Sequence, residues 1–145
     1  MNNLDQRNKI IEYSLKLNST NLSPLRSGNI SLRANEDNTD GYLITPSGKK
    51  YESLKPEEIV FMSMDDEEEK KDSSYKPSSE WRFHRDIYLN KKEAQAIVHA
   101  HSPHATAVSS HGKSIPPFHY MIALAGGEDI KCAEYATFGT EELSS

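Results

Sequence analysis

The sequence predicts an α/β domain, and three observations carry that expectation. The chain opens with an amphipathic stretch free of Gly and Pro. It continues with two β-patterned runs across a polar turn, and then follows a second helical stretch with another apolar run. Its 145 residues suit one domain, residues 1–145. The hydrophobic share of 35%, with only 7 Gly added, falls short of the roughly 45–50% apolar content of a self-contained domain. Part of the core is therefore expected to be completed by subunit contacts or by missing chain.

Ile10, Ile11, Tyr13, Leu15 and Leu17, preceded by Asp5, predict a first helix of about three turns, which Asn18 to Ser23 ends. Asn29-Ile30-Ser31-Leu32-Arg33 alternates polar and apolar residues as a half-buried strand does. Tyr42-Leu43-Ile44-Thr45, after the turn-rich segment 34–41, is its hairpin partner. Pro46-Ser47-Gly48 marks a turn, and Ile59-Val60-Phe61-Met62 reads as a third strand. The charge run 65–72 reads as a solvated loop or hairpin tip. Ser78 is the expected N-cap of a helix that carries Trp81, Ile87, Tyr88 and Leu89 and runs to about Asn90. Ala96-Ile97-Val98 then enters a strand expected to hold His99-Ala100-His101, and Ser102-Pro103 starts a short helix. Pro116-Pro117 interrupts the chain, and a further strand is expected around Ile130 to Ala133. After Gly139, Thr140-Glu141-Glu142-Leu143 reads as the opening turn of another helix. Because a domain seldom stops one turn into a helix, the C-terminus is expected to be incomplete.

Composition excludes several classes. With 17 Lys+Arg against 22 Asp+Glu, a net charge of −5 and no dense basic block, a nucleic-acid surface is not expected. Cys132 is the single cysteine, so neither an intrachain disulfide nor a CxxC site is available. Charges interrupt the N-terminus where a signal peptide needs its apolar core, and no run approaches the roughly 18 apolar residues of a membrane span. The mean hydropathy of −0.74 agrees. The expectation is a cytoplasmic protein with no nucleic-acid or membrane partner. Neither a Walker A spacing nor a GxSxG elbow occurs, so P-loop and serine-hydrolase chemistry are unsupported.

Several side chains remain that carry chemistry. His99 and His101 lie two apart on the predicted strand, so both leave one face with Cα atoms roughly 6.5–7 Å apart, and one metal ion can bridge them. Neutral imidazoles suit zinc, with cobalt, nickel and copper also possible, and a catalytic zinc normally takes three protein ligands. Most glutamates sit in charge clusters such as Glu57-Glu58. Glu80 instead stands in the first turn of a helix, behind two serines and before the only Trp, where it ligates a metal, acts as a base, or merely complements the helix dipole. Ser78 and Ser79 offer hydroxyls and free N–H groups suited to a phosphate, or simply cap the helix. Ser27-Gly28-Asn29 and Thr45-Pro46-Ser47-Gly48 supply small turns where backbone can approach a ligand. His84 makes an E-x-x-x-H pair with Glu80, but its neighbours Arg82 and Arg85 favour an exposed or interface face. His104 and His111 read as helical, either surface groups or groups that back the metal ligands. His119 and Tyr120, after the diproline, join two groups capable of proton donation.

Taken in order, SGNISLR, ITPSGKKYESLKPEEIV, KPSSEWRFH, AIVHAHSPHATAV, IPPFHYMIALAGG and YATFGTEELS resemble the class II aldolase/adducin family, most of all its L-fuculose-1-phosphate aldolase group. The likeness covers nearly all of residues 8–145. It implies a three-layer α/β sandwich with a mainly antiparallel central sheet flanked by helices, and a homotetramer with active sites at subunit interfaces. The implied reaction is zinc-dependent, reversible cleavage of a ketose 1-phosphate, L-fuculose 1-phosphate or similar, to dihydroxyacetone phosphate and an aldehyde, with one Zn2+ per subunit. Matched by motif, His99, His101 and Glu80 resemble the zinc-contacting residues, and Glu80 also resembles the acid/base. Gly28, Asn29, Ser47, Gly48, Ser78 and Ser79 resemble substrate-holding positions, chiefly for phosphate. Tyr120 resembles a tyrosine that donates a proton in the neighbouring subunit's site. Related sugar-phosphate epimerases, methylthioribulose-phosphate dehydratases and a non-catalytic adducin-like interaction module are the alternatives the likeness allows. Two departures stand out. Leu25-Arg26 occupies the place of the family's usual Gly-Thr. The family's third zinc-binding histidine, and the residues that close over the aldehyde, fall downstream of the point matching Ser145.

Overall fold

A computed structural model describes residues 1–65 and 74–144. Of the charge run 65–72, only Asp65 falls among the described residues.

The first helix, α1, spans Leu4–Ser19. Its buried stripe is Arg7, Ile10, Ser14 and Leu17, spaced three and four apart as one helical face requires. Tyr13 and Leu15, expected to help define that face, are exposed. Arg7 is tolerated inside because Glu36 pairs with it at 2.6 Å and the carbonyls of Asn2 and Pro56 accept its other N–H groups.

Strands β1 (Asn29–Glu36) and β2 (Thr39–Ile44) form the expected hairpin. It is longer than its alternating core suggests and closes through two residues only, Asp37 and Asn38. Both have positive φ, at 50° and 63°. That is the turn geometry matching strand twist, in which Asp and Asn are tolerated. Strand β3 (Val60–Ser63) pairs antiparallel with β2, and β4 (Ala96–His99) pairs antiparallel with β1, giving the order β3-β2-β1-β4.

Alternation along these strands splits the core into two apolar layers. Ile30, Leu43 and Ile59 face α1 with Ile10, Leu17, Tyr51 and Leu54. Tyr42, Ile44, Val60 and Met62 face the opposite side, where Trp81 and Tyr88 of α2 (Trp81–Asn90) cover them. Helix, antiparallel sheet and helix make the three-layer sandwich that the family likeness implied.

The C-terminal part departs from the sequence reading in three places. The strand β4 ends at His99, so His101 lies beyond it, its N–H bonded to the Leu22 carbonyl at 2.9 Å. Around 130–133 there is only an isolated bridge between Ile130 and Ile115, because a strand needs a continuous neighbour and this segment has none. The segment 140–143 makes turns and no helix. The short helix α3 (Pro103–Ser109) forms as expected but buries no residue, and His104 and His111 are exposed. Phe118, Leu124, Tyr135 and Phe138 are also exposed. Among the described residues, no helix is long and apolar enough to cross a membrane.

Candidate active site

Three loops meet at one end of the sheet. The turn after β2 is zipped to the approach to α2: Ser47 N–H donates to the Lys76 carbonyl at 2.9 Å, Ser78 N–H to the Thr45 carbonyl at 2.9 Å, and Pro46 bridges Pro77. The turn before β1 is tied to the same place, since Thr45 N–H donates to the Ile30 carbonyl at 3.1 Å and the Tyr51 hydroxyl donates to the Gly28 carbonyl. A side chain at Gly28 has no room, because a Cβ there would lie 2.5 Å from both the His99 carbonyl oxygen and Ser23 Oγ. Gly48 turns the chain with φ +72°, a conformation few other residues adopt.

These loops enclose a polar cleft of ≈ 230 Å³. All six residues predicted to hold substrate line it: Gly28, Asn29, Ser47, Gly48, Ser78 and Ser79. Glu80 lines it too, as does Thr45 of the turn the sequence singled out, and so does Lys49, which sequence reasoning missed. The Lys49 ammonium, next to Gly48 in sequence, is paired with Glu58 at 2.9 Å, a contact that holds the Glu58 carboxyl below its usual range. Hydroxyls, a nearby cation and the N-terminal end of α2 suit an anion such as a phosphate.

The expected N-cap is displaced. Glu80 occupies the cap position of α2 without a capping side-chain bond, while Ser78 Oγ accepts the Glu80 N–H at 3.3 Å. The serine thus shapes the turn before the helix, and the Glu80 carboxylate is left free to point at β4. There its Oε2 lies 3.4 Å from His99 Nε2, which lies 2.8 Å from His101 Nε2. The two histidines therefore converge although the strand stops between them. Burial lowers the proton affinity of His99; the Glu80 charge opposes this and His101 adds to it. A neutral imidazole is the form that ligates a metal.

Two imidazole nitrogens and a carboxylate oxygen fit the donor chemistry of zinc and similar divalent ions. The 2.8 Å separation of the imidazoles is that of a hydrogen bond. Two nitrogens on one tetrahedral zinc stand roughly 3.3 Å apart, so the rings would open by about 0.5 Å to share an ion. Among the described residues no group of three or more His, Cys, Asp or Glu already has the arrangement of a metal cage. The donor set is of the right kind and is not closed.

On its other side Glu80 borders a wider groove of ≈ 770 Å³, reached also by His99, His101, Phe83 and Phe138. Tyr120 lines neither this groove nor the polar cleft; the residue is 80% exposed on the 3-10 turn Tyr120–Ala125.

The reading of His84 is overturned. It is fully buried rather than exposed, stacked on Phe83, and burial pushes its pKa down to about 3. Arg82 and Arg85 do flank it, but the ring points between them into the sheet, where Ser31 and Asn29 bond it.

The cleft, the histidine pair and the three-layer sheet define a class, and the chain belongs to the class II aldolase and adducin family. Residues 8–145 match the family described as "Class II Aldolase and Adducin N-terminal domain". The chain is 48% identical to the L-fuculose phosphate aldolase of Escherichia coli K12, over 96% of this chain and 63% of that enzyme. It is 45% identical to a 5-methylthioribulose-1-phosphate/5-deoxyribulose-1-phosphate aldolase of Rhodospirillum rubrum, over 95% and 59% respectively. Among solved structures, an L-fuculose 1-phosphate aldolase superposes with a TM-score of 0.86 at 36% identity, covering 97% of this chain and 64% of that one. The chain thus spans about three fifths of the length of these relatives.

Proposed function

We propose that this chain carries the phosphate and metal half-site of a divalent-metal-dependent aldolase that reversibly cleaves a ketose 1-phosphate to dihydroxyacetone phosphate and an aldehyde. The observation that carries the reading is the position of Glu80, which borders the anion cleft and stands 3.4 Å from the nearer of two adjacent imidazoles. A phosphate seated on Ser47, Gly48, Ser78 and Ser79 would bring the adjoining carbons of a short sugar to Glu80 and the histidines.

In this reading His99, His101 and Glu80 hold one zinc ion per subunit, and the third histidine comes from chain beyond the matched region. The bound ion supplies Lewis acidity that polarises a carbonyl. Glu80 moves the proton, held in place by Asn29, whose Nδ2 donates to its Oε2 at 2.6 Å. Tyr120, exposed and in the lining of neither cleft, is free to serve a neighbouring subunit. The exposed Phe118 and Leu124 around it suit the buried face of a homotetramer. The relatives described above are named as aldolases of 1-phosphorylated ketoses, which favours carbon–carbon cleavage over epimerisation, dehydration or a non-catalytic role. A cytoplasmic site of action follows from such a substrate.

The test measures bound zinc, then dihydroxyacetone phosphate released from L-fuculose 1-phosphate, in the chain alone and joined to the C-terminal remainder of the E. coli relative. Zinc should be lost in the His99→Ala/His101→Ala double variant. Glu80→Gln should cut turnover by at least about 100-fold with the fold intact. Retained zinc in the double variant, or parental turnover in Glu80→Gln, overturns the assignment.

A further inference from the structure

Behind Glu80 a single file of hydrogen bonds runs into the core. Asn29 donates its Nδ2–H to Glu80 Oε2 at 2.6 Å, and its Oδ1 meets His84 Nε2. His84 Nδ1 lies 2.7 Å from Ser31 Oγ, which lies 2.9 Å from the Tyr88 hydroxyl. Asn29, Ser31, His84 and Tyr88 are all at most 3% exposed.

Chemistry dictates where every proton in this file sits. An ionised carboxylate only accepts, so Asn29 must turn its amide nitrogen to Glu80 and its oxygen to His84. That oxygen also only accepts, so His84 must carry its proton on Nε2. Its Nδ1 is then bare and accepts a hydrogen bond from the Ser31 hydroxyl, and the Ser31 oxygen accepts from Tyr88. Burial pushes the Tyr88 pKa up to about 12 and so keeps it a donor. All four donors point toward Glu80. An asparagine alone could present either end of its carboxamide, since the two are nearly the same shape. The wrong end would set oxygen against carboxylate.

We propose that His84 is a positioning residue: its Nε2–H, on a ring braced through Nδ1 by Ser31 and Tyr88, locks the Asn29 carboxamide with its NH2 toward Glu80 and the anion cleft. Its service to turnover rests on the reading of Glu80 as the proton-moving group; the lock itself does not.

The test therefore begins without substrate. In the full chain labelled with 15N, two-bond 1H–15N correlations of His84 should show the Nε2–H tautomer alone, and the Asn29 side-chain NH2 signals should stand apart from those of exposed amides. In Ser31→Ala, which keeps the ring but removes the hydroxyl on Nδ1, His84 should keep the Nε2–H tautomer, because the Asn29 oxygen still requires a donor there. In His84→Leu the Asn29 signals should move to the free-amide region. In His84→Gln, whose amide nitrogen falls near the position of imidazole Nε2, they should stay. An Nδ1–H tautomer, or Asn29 signals unmoved in a folded His84→Leu chain, would overturn the proposal. Should His84→Leu fail to fold, an Nδ1–H tautomer in Ser31→Ala does the same. Where aldol cleavage is measurable, His84→Leu should lower kcat by about 10–100-fold with a smaller change in KM, and His84→Gln should recover most of that loss. A parent that stays without turnover even when joined to the C-terminal remainder of the E. coli relative, but keeps the single tautomer and the displaced Asn29 signals, would sink the aldolase reading and leave the lock standing.

Discussion

Lowering the pH from 7 to 5 should cost the folded chain about 2 kcal/mol through His84 alone. In the unfolded chain this imidazole titrates near 6.5; in the fold, burial first and the charge of His99 second push it down to about 3. Above 6.5 both states hold it neutral, and it contributes no pH dependence. Below 6.5 the unfolded chain takes up a proton that the folded chain refuses, so stability falls by about 1.4 kcal/mol per pH unit until the pH nears 3. Over the roughly 1.5 units between 6.5 and 5 the sum is about 2 kcal/mol, a large share of the 5–15 kcal/mol typical of a domain. The groups facing the ring are His99 from β4, Tyr88 from α2 and, through Asn29, Glu80. Urea unfolding followed by the fluorescence of Trp81, the only and buried tryptophan, at pH 7 and pH 5 measures the effect. The comparison is with His84→Gln, which keeps a donor but cannot ionise. Contributions from His99 and the carboxylates are common to both proteins and cancel, so the parent should lose about 2 kcal/mol more than the variant between the two pH values. Equal losses would mean that His84 is protonated in the fold, and the burial argument would fail.

Gly28→Ala should destabilise the fold by about 1–3 kcal/mol, because the new methyl group pushes the start of β1 away from the His99 carbonyl. Calorimetric titration with zinc should show weaker binding in the same variant, and unaltered stability would show that the approach is looser than 2.5 Å. Leu25→Gly acts in the opposite direction. Leu25 holds φ 57° with 96% of its surface exposed, so glycine relieves about 1–2 kcal/mol of left-handed strain, loses no packing, and returns roughly 0.5–1 kcal/mol through unfolded-state entropy. The melting temperature should rise; a fall would show that the strain is not held at Leu25.

Local pattern alone determined much of this protein. The hairpin was legible because Ile30, Leu32, Leu43 and Ile44 alternate or cluster around a polar turn, and α1 because its apolar positions recur at helical spacing. The six small residues of the anion cleft were legible as turn residues and by motif. Their meeting was not, since the zipper between Thr45–Ser47 and Lys76–Ser78 joins segments some thirty residues apart. The pairing of Asn29 with His99 across β1 and β4 likewise brings Glu80's two neighbours together through register, which no local spacing records. The failures have the same origin. His101 was assigned to a strand because alternation predicts direction but not where a neighbouring strand stops, and the Leu22 carbonyl captures its N–H instead. His84 looked exposed because Arg82 and Arg85 flank it, yet on a helix those neighbours point elsewhere, and the ring enters the sheet where Ser31 and Asn29 satisfy both its nitrogens. Whether a polar side chain sits in water or in the core depends on partners distant in sequence, and that information exists only once the chain is folded.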